Sequence, residues 1–284
     1  NALRSKIKSI YSEKNGTRTH NFSFFFMLLC LTCFGCAQRP WTDPLDERQA
    51  ENALNYLEQL KARTESCPKG IDGNISFSYR SPLDSKKGQG YFQILSPSYL
   101  KLVVSNPLGQ PVIVITSDQQ TFQLINTLER KYTAGNVHSC ALLHNIAPAL
   151  LTGEWENWIR GTFSIIPSAI TAIRQDREKR GTWFSLQKLT DNAQQKTHLL
   201  IGSREGKLLS RIIESNTGKL VMRIVYQDWV SLGSCKQPRI IKMKGLKYNT
   251  ELTLTLSDVL IAENLGKNDF RLSAPASYMK QILP

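Results

Sequence analysis

From Gly73 onward, apolar and polar residues alternate along the chain with a period of two. Ile75, Phe77 and Tyr79 alternate with serines, and the leucines of Leu252–Leu256 alternate with threonines. Residues two apart share one face of a strand, so this pattern predicts strands with one apolar face. Similar stretches, separated by turn-forming Pro, Gly, Asn and Asp, cover residues 100–105, 112–115, 122–124, 130–134, 169–174, 182–188, 197–203, 208–214, 220–226 and 239–244.

Two other stretches have helical spacing. Apolar residues recur every three or four positions from Ala50 to Leu60, and the pattern continues to Arg63. Asp43 is suited to cap this helix and Pro44 to its first position. A second helical stretch covers residues 138–160 and is interrupted at Pro148 and Gly153.

These elements predict a fold that is mainly β with helices. We expect a single curved antiparallel sheet with an N-terminal helix and central helices that lie over it as lids. A sheet curled around its apolar face can leave a hydrophobic trough suited to acyl chains. The same pattern also fits an ordinary packed core, and the alternation alone leaves both alternatives open.

The charge of the chain is strongly basic, with a formal net charge of +13. Five basic residues and one acidic residue precede Cys36, so the chain from Cys36 onward carries +9. A basic surface attracts polyanions. Because the Lys and Arg residues are scattered singly, the sequence favours an anionic membrane surface over nucleic acid.

The first 36 residues have the features of an export signal. An apolar run of about fifteen residues, Asn21–Gly35, follows a basic stretch and is too short for a comfortable transmembrane helix. It ends at Gly35-Cys36, which resembles a lipobox, although Cys33 and Phe34 depart from the usual residues. We therefore expect a lipoprotein signal peptide at 1–35, a lipidated tether at 36–42 beginning with lipid on Cys36, and a folded domain at 43–284. An ordinary secretory signal and an uncleaved anchor are the alternatives.

The sequence shows no catalytic motif and no pattern typical of a cofactor or metal site. Its four histidines are widely spaced; they are His20, His138, His144 and His198. We interpret the three that follow the predicted signal as surface or core residues. Three cysteines besides Cys36 remain in the folded domain, and the sequence does not indicate which of them pair; they are Cys67, Cys140 and Cys235. We expect a protein that is not an enzyme.

Several short motifs occur in the order found in a known family. They are Asn106-Pro107-Leu108-Gly109, then Arg130-Lys-Tyr-Thr-Ala134, Trp158-Ile-Arg-Gly161, Arg223-Ile-Val-Tyr-Gln-Asp-Trp229 and Pro238-Arg-Ile-Ile-Lys-Met-Lys244. Together they resemble the LolA/LolB-like lipoprotein family from about Ala50 to Leu256. The C-terminal extension, Asp258 to Pro284, departs from the family pattern.

The resemblance implies a half β-barrel of about eleven strands with lid helices over an apolar cavity. It also implies a monomer in the outer membrane that accepts lipoprotein acyl chains from the periplasmic carrier LolA and helps to insert them in that membrane. In this family a hydrophobic residue on a protruding loop faces the membrane, and the corresponding residue is Leu108. From the strand pattern we expect the cavity to be lined by alternate residues, with the candidates Phe77, Leu102, Val104, Phe122, Met222, Ile224 and Leu254. The alternative is an envelope structural or assembly lipoprotein whose half-barrel docks a protein partner.

Overall fold

The computed structural model describes residues 39–118, 120–137, 139, 155–163, 165, 169–190, 193–215, 217–246 and 250–284. The predicted signal peptide, Cys36, His138, Cys140, His144 and much of the central helical stretch lie outside the described residues. The segment Trp41–Pro284 is a compact unit that contains all the described strands and helices, and therefore has its own core. No described helix is long and apolar enough to cross a membrane.

One large sheet forms the body of this unit. Its strands are β1 Trp41–Pro44, β2 Gly70–Arg80, β3 Ser85–Leu95, β4 Tyr99–Ser105, β5 Pro111–Ser117, β6 Thr121–Asn126, β7 Lys131–Asn136, β8 Ile170–Asp176, β9 Gly181–Thr190, β10 Ala193–Gly202, β11 Leu208–Glu214, β12 Leu220–Leu232, β13 Cys235–Leu246, β14 Thr250–Ile261 and β15 Met279–Leu283. The helices are α1 Glu47–Glu65, α2 Trp155–Arg160 and a 3-10 helix Lys267–Phe270.

The strand order is β1-β8-β9-β10-β11-β12-β13-β14-β2-β3-β4-β5-β6-β7-β15. All neighbours are antiparallel except β15, which runs parallel to β7. The prediction of one curved, mainly antiparallel sheet with few helices is confirmed. The expected number of about eleven strands is wrong, because the described residues form about fifteen.

The additional strands have sequences that conceal their pairing. β1 and β15 have only four and five residues, which is too short for a clear alternation. β3 begins Ser-Lys-Lys-Gly-Gln-Gly, so its first half carries no apolar face. These strands form because a neighbour offers free backbone groups along its edge, a condition that a local pattern does not reveal.

Helix α1 begins later than the sequence predicted. Asp43 and Pro44 belong to β1, which pairs with β8, and Trp41 and Thr42 of the expected tether begin the same strand. The cap is Asp46, whose Oδ1 accepts a hydrogen bond of 2.8 Å from the amide of Gln49. Asp46 offers the same capping chemistry three residues further on, after pairing with β8 has drawn Asp43 into the sheet.

The main core lies between the sheet and the two α-helices. Leu57 and Leu60 of α1 and Trp158 and Ile159 of α2 pack with buried side chains of one face of the sheet, which we call the inner face. A smaller cluster lies on the opposite, outer face, where Trp41 packs with Trp183, Leu200 and Ile212. The start of β1 is thus held to the outer face by a buried tryptophan.

A disulfide joins Cys67, just after α1, to Cys235 at the start of β13. The sequence did not indicate which of the three cysteines of the folded domain pair, and the structure pairs these two. The bridge ties α1 to a turn of the sheet that is 168 residues away in sequence, so it constrains the unfolded chain strongly.

Candidate functional site

The seven predicted cavity residues all lie on the inner face by strand register. Phe77 is opposite Leu254, Leu254 is opposite Ile241, and the same face continues to Ile224 and Met222. In the other direction it continues to Leu102 and Val104, and then to Phe122. The alternation of apolar and polar residues therefore selected side chains on the same face of the sheet in every strand concerned.

Burial divides these residues into two groups. Phe122, Met222, Ile224 and Leu254 are buried among other side chains. Phe77, Leu102 and Val104 are only partly buried. The inner face is therefore a packed core in one region and partly open in another.

The less buried region of the inner face lies on β14 and β2 to β6. We define the apolar trough by its partly buried inner-face side chains, which are Phe77, Tyr79, Leu102, Val104, Ile113, Ile115, Leu124 and Leu252. Gly88 of β3 leaves room for the ring of Phe77, since a Cβ at Gly88 would lie 2.3 Å from Cζ of Phe77. The absence of a side chain at this position allows the Phe77 ring to lie against β3.

The closed region is held by α2. Gln237 donates a 2.9 Å hydrogen bond to the carbonyl of Ile159, and Arg211 donates one of 3.0 Å to the carbonyl of Thr162 just after the helix. Beneath them, burial raises the pKa of Tyr226 to about 12, while the positive charge of Arg211 opposes that rise. These contacts fix α2 on the inner face of the sheet.

Arg160 joins α2 to the chain beside the disulfide. Its guanidinium donates to the carbonyls of Pro68 and Lys69 and lies 3.5 Å from Glu156. Ser96 completes the group by bonding to both Arg160 and Glu156. Burial lowers the pKa of Arg160, and the charge of Glu156 opposes this effect. The Trp-Ile-Arg-Gly motif thus closes one end of the inner face.

One polar cluster on the outer face, formed by Ser185, His198 and Glu214, is closed to solvent. Ser185 Oγ lies 2.8 Å from His198 Nδ1, and His198 Nε2 lies 3.3 Å from a carboxylate oxygen of Glu214. All three residues are buried, Trp41 stacks on the His198 ring, and Arg174 donates to the same Ser185 oxygen. His198 is therefore a core residue, which is one of the two positions that the sequence left open.

The predicted loop residue Leu108 is exposed rather than folded onto the core. It lies in the β4–β5 turn with 83% of its surface accessible. Asn106 holds this turn, because its side-chain oxygen accepts 3.0 Å hydrogen bonds from the amides of Leu108 and Gln110. Gly109 follows with a φ of +79°, a conformation that favours glycine.

Two clefts lie outside the apolar trough. One, of about 340 Å³, separates α1 from β8 to β10 and is lined by residues including Ala53, Tyr56 and Phe184. The other, of about 310 Å³, lies beside the C-terminal segment and includes Tyr99 and Phe122. Sequence reasoning did not indicate either cleft, because each is formed by segments distant in sequence.

Comparison with solved structures identifies the class of fold. A putative outer membrane lipoprotein-sorting protein domain from Vibrio parahaemolyticus matches 78% of this chain and 97% of its own length, with 12% identity and a TM-score of 0.54. A LolA superfamily protein from Nitrosomonas europaea matches the same shares with 13% identity and a TM-score of 0.51. The chain therefore has a LolA-like fold.

A third neighbour, a protein from Desulfovibrio piger, matches 81% of this chain and 98% of its own length, with 8% identity and a TM-score of 0.53. No protein-family model matches the sequence, and no curated protein matches it. At these identities the likeness shows the fold alone.

Proposed function

We propose that this protein is an outer-membrane lipoprotein that accepts the acyl chains of other lipoproteins in its apolar trough and helps to insert them in the outer membrane. The carrier that delivers them would be the periplasmic protein LolA. The observation that supports this proposal is the partly open, apolar inner face of the sheet. Apolar side chains that the fold leaves partly exposed gain free energy when a hydrocarbon chain covers them, by roughly 25 cal/mol per Å².

The Cys67–Cys235 disulfide supports an extracytoplasmic location, because disulfides persist mainly in oxidising compartments. Lipid on Cys36 would supply the anchor. The Cys36→Ser variant should leave the membrane fraction, and unchanged anchoring with normal processing would contradict the assignment.

A pair of variants on β4 tests the trough directly. Val104 lies on the inner face opposite Gly90, whereas its neighbour Val103 lies on the outer face. In the Trp41–Pro284 unit, Val104→Trp should fill the trough and weaken binding of a fluorescent fatty-acid analogue by roughly tenfold, about 1.4 kcal/mol. Val103→Trp adds the same bulk on the other face and should bind the analogue normally. Equal binding by both variants, with unchanged melting temperatures, would place the ligand elsewhere.

A second candidate function is docking of a protein partner during envelope assembly. The packed environment of Met222, Ile224 and Leu254 favours it, because these predicted cavity residues already have protein neighbours. If the unmodified unit binds no fatty-acid analogue under conditions where a known carrier does, the docking function gains support.

Leu108 provides a test of delivery as distinct from binding. Leu108→Glu places a charge on an exposed turn, so folding and analogue binding should be retained while transfer of lipoprotein to liposomes falls. Normal transfer by this variant would show that the turn has no part in delivery.

A further inference from the structure

Three hairpin turns at one end of the sheet each present a leucine to solvent. They are the β2–β3, β4–β5 and β6–β7 turns, and their leucines Leu83, Leu108 and Leu128 are 99%, 83% and 79% exposed. Because β2 to β7 are consecutive antiparallel neighbours, alternate turns lie at the same end. Adjacent strands are about 4.8 Å apart, so the three tips span roughly 20 Å. We call this end the leucine rim.

The three turns share one local construction. In each, a side-chain oxygen two residues before the leucine accepts a hydrogen bond from the leucine amide. The acceptor is Ser81 for Leu83 at 3.3 Å, Asn106 for Leu108 at 3.0 Å, and Asn126 for Leu128 at 3.1 Å. Ser81 and Asn126 also accept from the next amide. These bonds order the backbone of each turn, which lowers the backbone entropy lost when its leucine binds a surface.

Exposed apolar residues are concentrated at this end. Among the described residues, eight large hydrophobic side chains are exposed. Leu220 begins β12 and Met279 begins β15, both at the same end of the sheet as the leucine rim. With the three leucines of the rim, this end therefore carries five of the eight. Single exposed leucines are common, but such a concentration marks an interaction surface.

The charges around the leucine rim identify the chemistry of the partner. The three turns and the first or last three residues of their strands carry five basic and two acidic residues; they are Arg80, Lys86, Lys87, Arg130, Lys131, Asp84 and Glu129. One acidic residue, Asp84, lies 3.1 Å from Lys86. Separate protruding leucines within a basic field suit a deformable, anionic surface better than a shaped protein groove.

We propose that the leucine rim binds an anionic lipid bilayer, with Leu83 and Leu128 inserting beside Leu108. The apolar trough lies on the same strands, so this contact would bring it close to the lipid surface. The inference deepens the proposed function but does not depend on acyl-chain binding. Each inserted leucine contributes little alone, and three acting together with the basic residues give stable, reversible contact.

The Trp41–Pro284 unit allows a direct test. It should co-sediment with vesicles of phosphatidylglycerol and phosphatidylethanolamine and bind weakly to phosphatidylcholine vesicles. The double variant Leu83→Ser and Leu128→Ser should lower the partition coefficient at least tenfold without changing the melting temperature. Leu260→Ser is the matched control, because Leu260 is 63% exposed near the opposite end of β14. This control should bind vesicles normally.

The outcomes separate this inference from the proposed function. Failure of the unmodified unit to bind anionic vesicles, or normal binding by the double variant, overturns the membrane assignment even if the fatty-acid analogue binds. Equal binding to neutral and anionic vesicles overturns the role of charge. Vesicle binding without analogue binding supports the rim and contradicts the acyl-chain trough.

Discussion

At the scale of single residues, Arg160 shows how one buried charge can organise the closed end of a trough. It is 5% exposed and bonds with Glu156, Ser96 and two carbonyls of the segment after α1. The sequence motif that contains Arg160 was noted only for its resemblance to a family. Its physical role follows mainly from contacts with Pro68, Lys69 and Ser96. These residues precede Arg160 in the sequence by between 64 and 92 positions.

Arg160→Met should destabilise the fold by about 3–5 kcal/mol, because Glu156 would remain buried without its cationic partner. Urea unfolding of the Trp41–Pro284 unit measures the loss. Arg239→Met is a suitable comparison, since the Arg239–Asp228 pair at 2.6 Å is exposed on both sides and should contribute less than about 1 kcal/mol. Similar losses in the two variants would contradict the structural role of Arg160.

Residue type also explains part of what the sequence predicted at this scale. Asn, Pro and Gly around Leu108 predicted a tight turn, and the turn is present with Leu108 exposed. The matching turns at Leu83 and Leu128 were not recognised. Their common signal, an acceptor side chain two positions before a leucine, is visible in Ser-Pro-Leu and Asn-Thr-Leu once the first turn is known.

At the scale of elements, the C-terminal segment changes from an unexplained extension to part of the sheet. After β14 the chain crosses the outer face, where Phe270 contacts Tyr99 and the amide of Leu272 donates a 2.7 Å hydrogen bond to Gln123. It then forms β15 along β7. Without β15, an edge of β7 would present unpaired backbone groups.

Deleting residues 277–284 should therefore promote self-association through the edge of β7. Light scattering after size-exclusion chromatography should show a monomer for the intact unit and concentration-dependent oligomers for the deletion. Ile282→Lys keeps the backbone of β15 and replaces an exposed side chain, so this variant should stay monomeric. A monomeric deletion variant would show that β15 does not protect this edge.

At the scale of the whole molecule, Trp41 and the leucine rim lie at opposite ends of the sheet. Trp41 pairs with Asp176 beside the β8–β9 turn. The strand order places this turn at the end of the sheet opposite the leucine rim. β14 has 12 residues and is about 40 Å long. The five steps from Cys36 to Trp41 span at most about 18 Å. If both Cys36 and the leucine rim contact one bilayer, the strands must lie within about 30° of its plane.

Shortening the tether tests this geometry. Deleting Gln38–Pro40 leaves a reach of about 7 Å, which would press the strands flatter against the bilayer. The tips of the leucine rim point along the strands, so this flattening should withdraw them from the lipid. In lipidated protein on vesicles, a Leu128→Cys side chain in a Cys140→Ser background should then react faster with a water-soluble maleimide. Inserting about twelve Gly and Ser residues instead should preserve its protection. Equal labelling in the deletion and the intact protein would mean that rim and anchor do not share a membrane.

The sequence by itself determined the elements whose local pattern carries the signal. Alternation predicted the apolar face of β2, β4, β12 and β14, and helical spacing predicted α1, because burial of one face requires that periodicity. Tertiary structure decided the rest. The ends of α1, the strands β1 and β15, the pairing of Cys67 with Cys235 and the division of the inner face into packed and open regions all depend on which distant segment lies alongside. Such neighbours are set by the packing of the whole sheet, and a local pattern does not contain them.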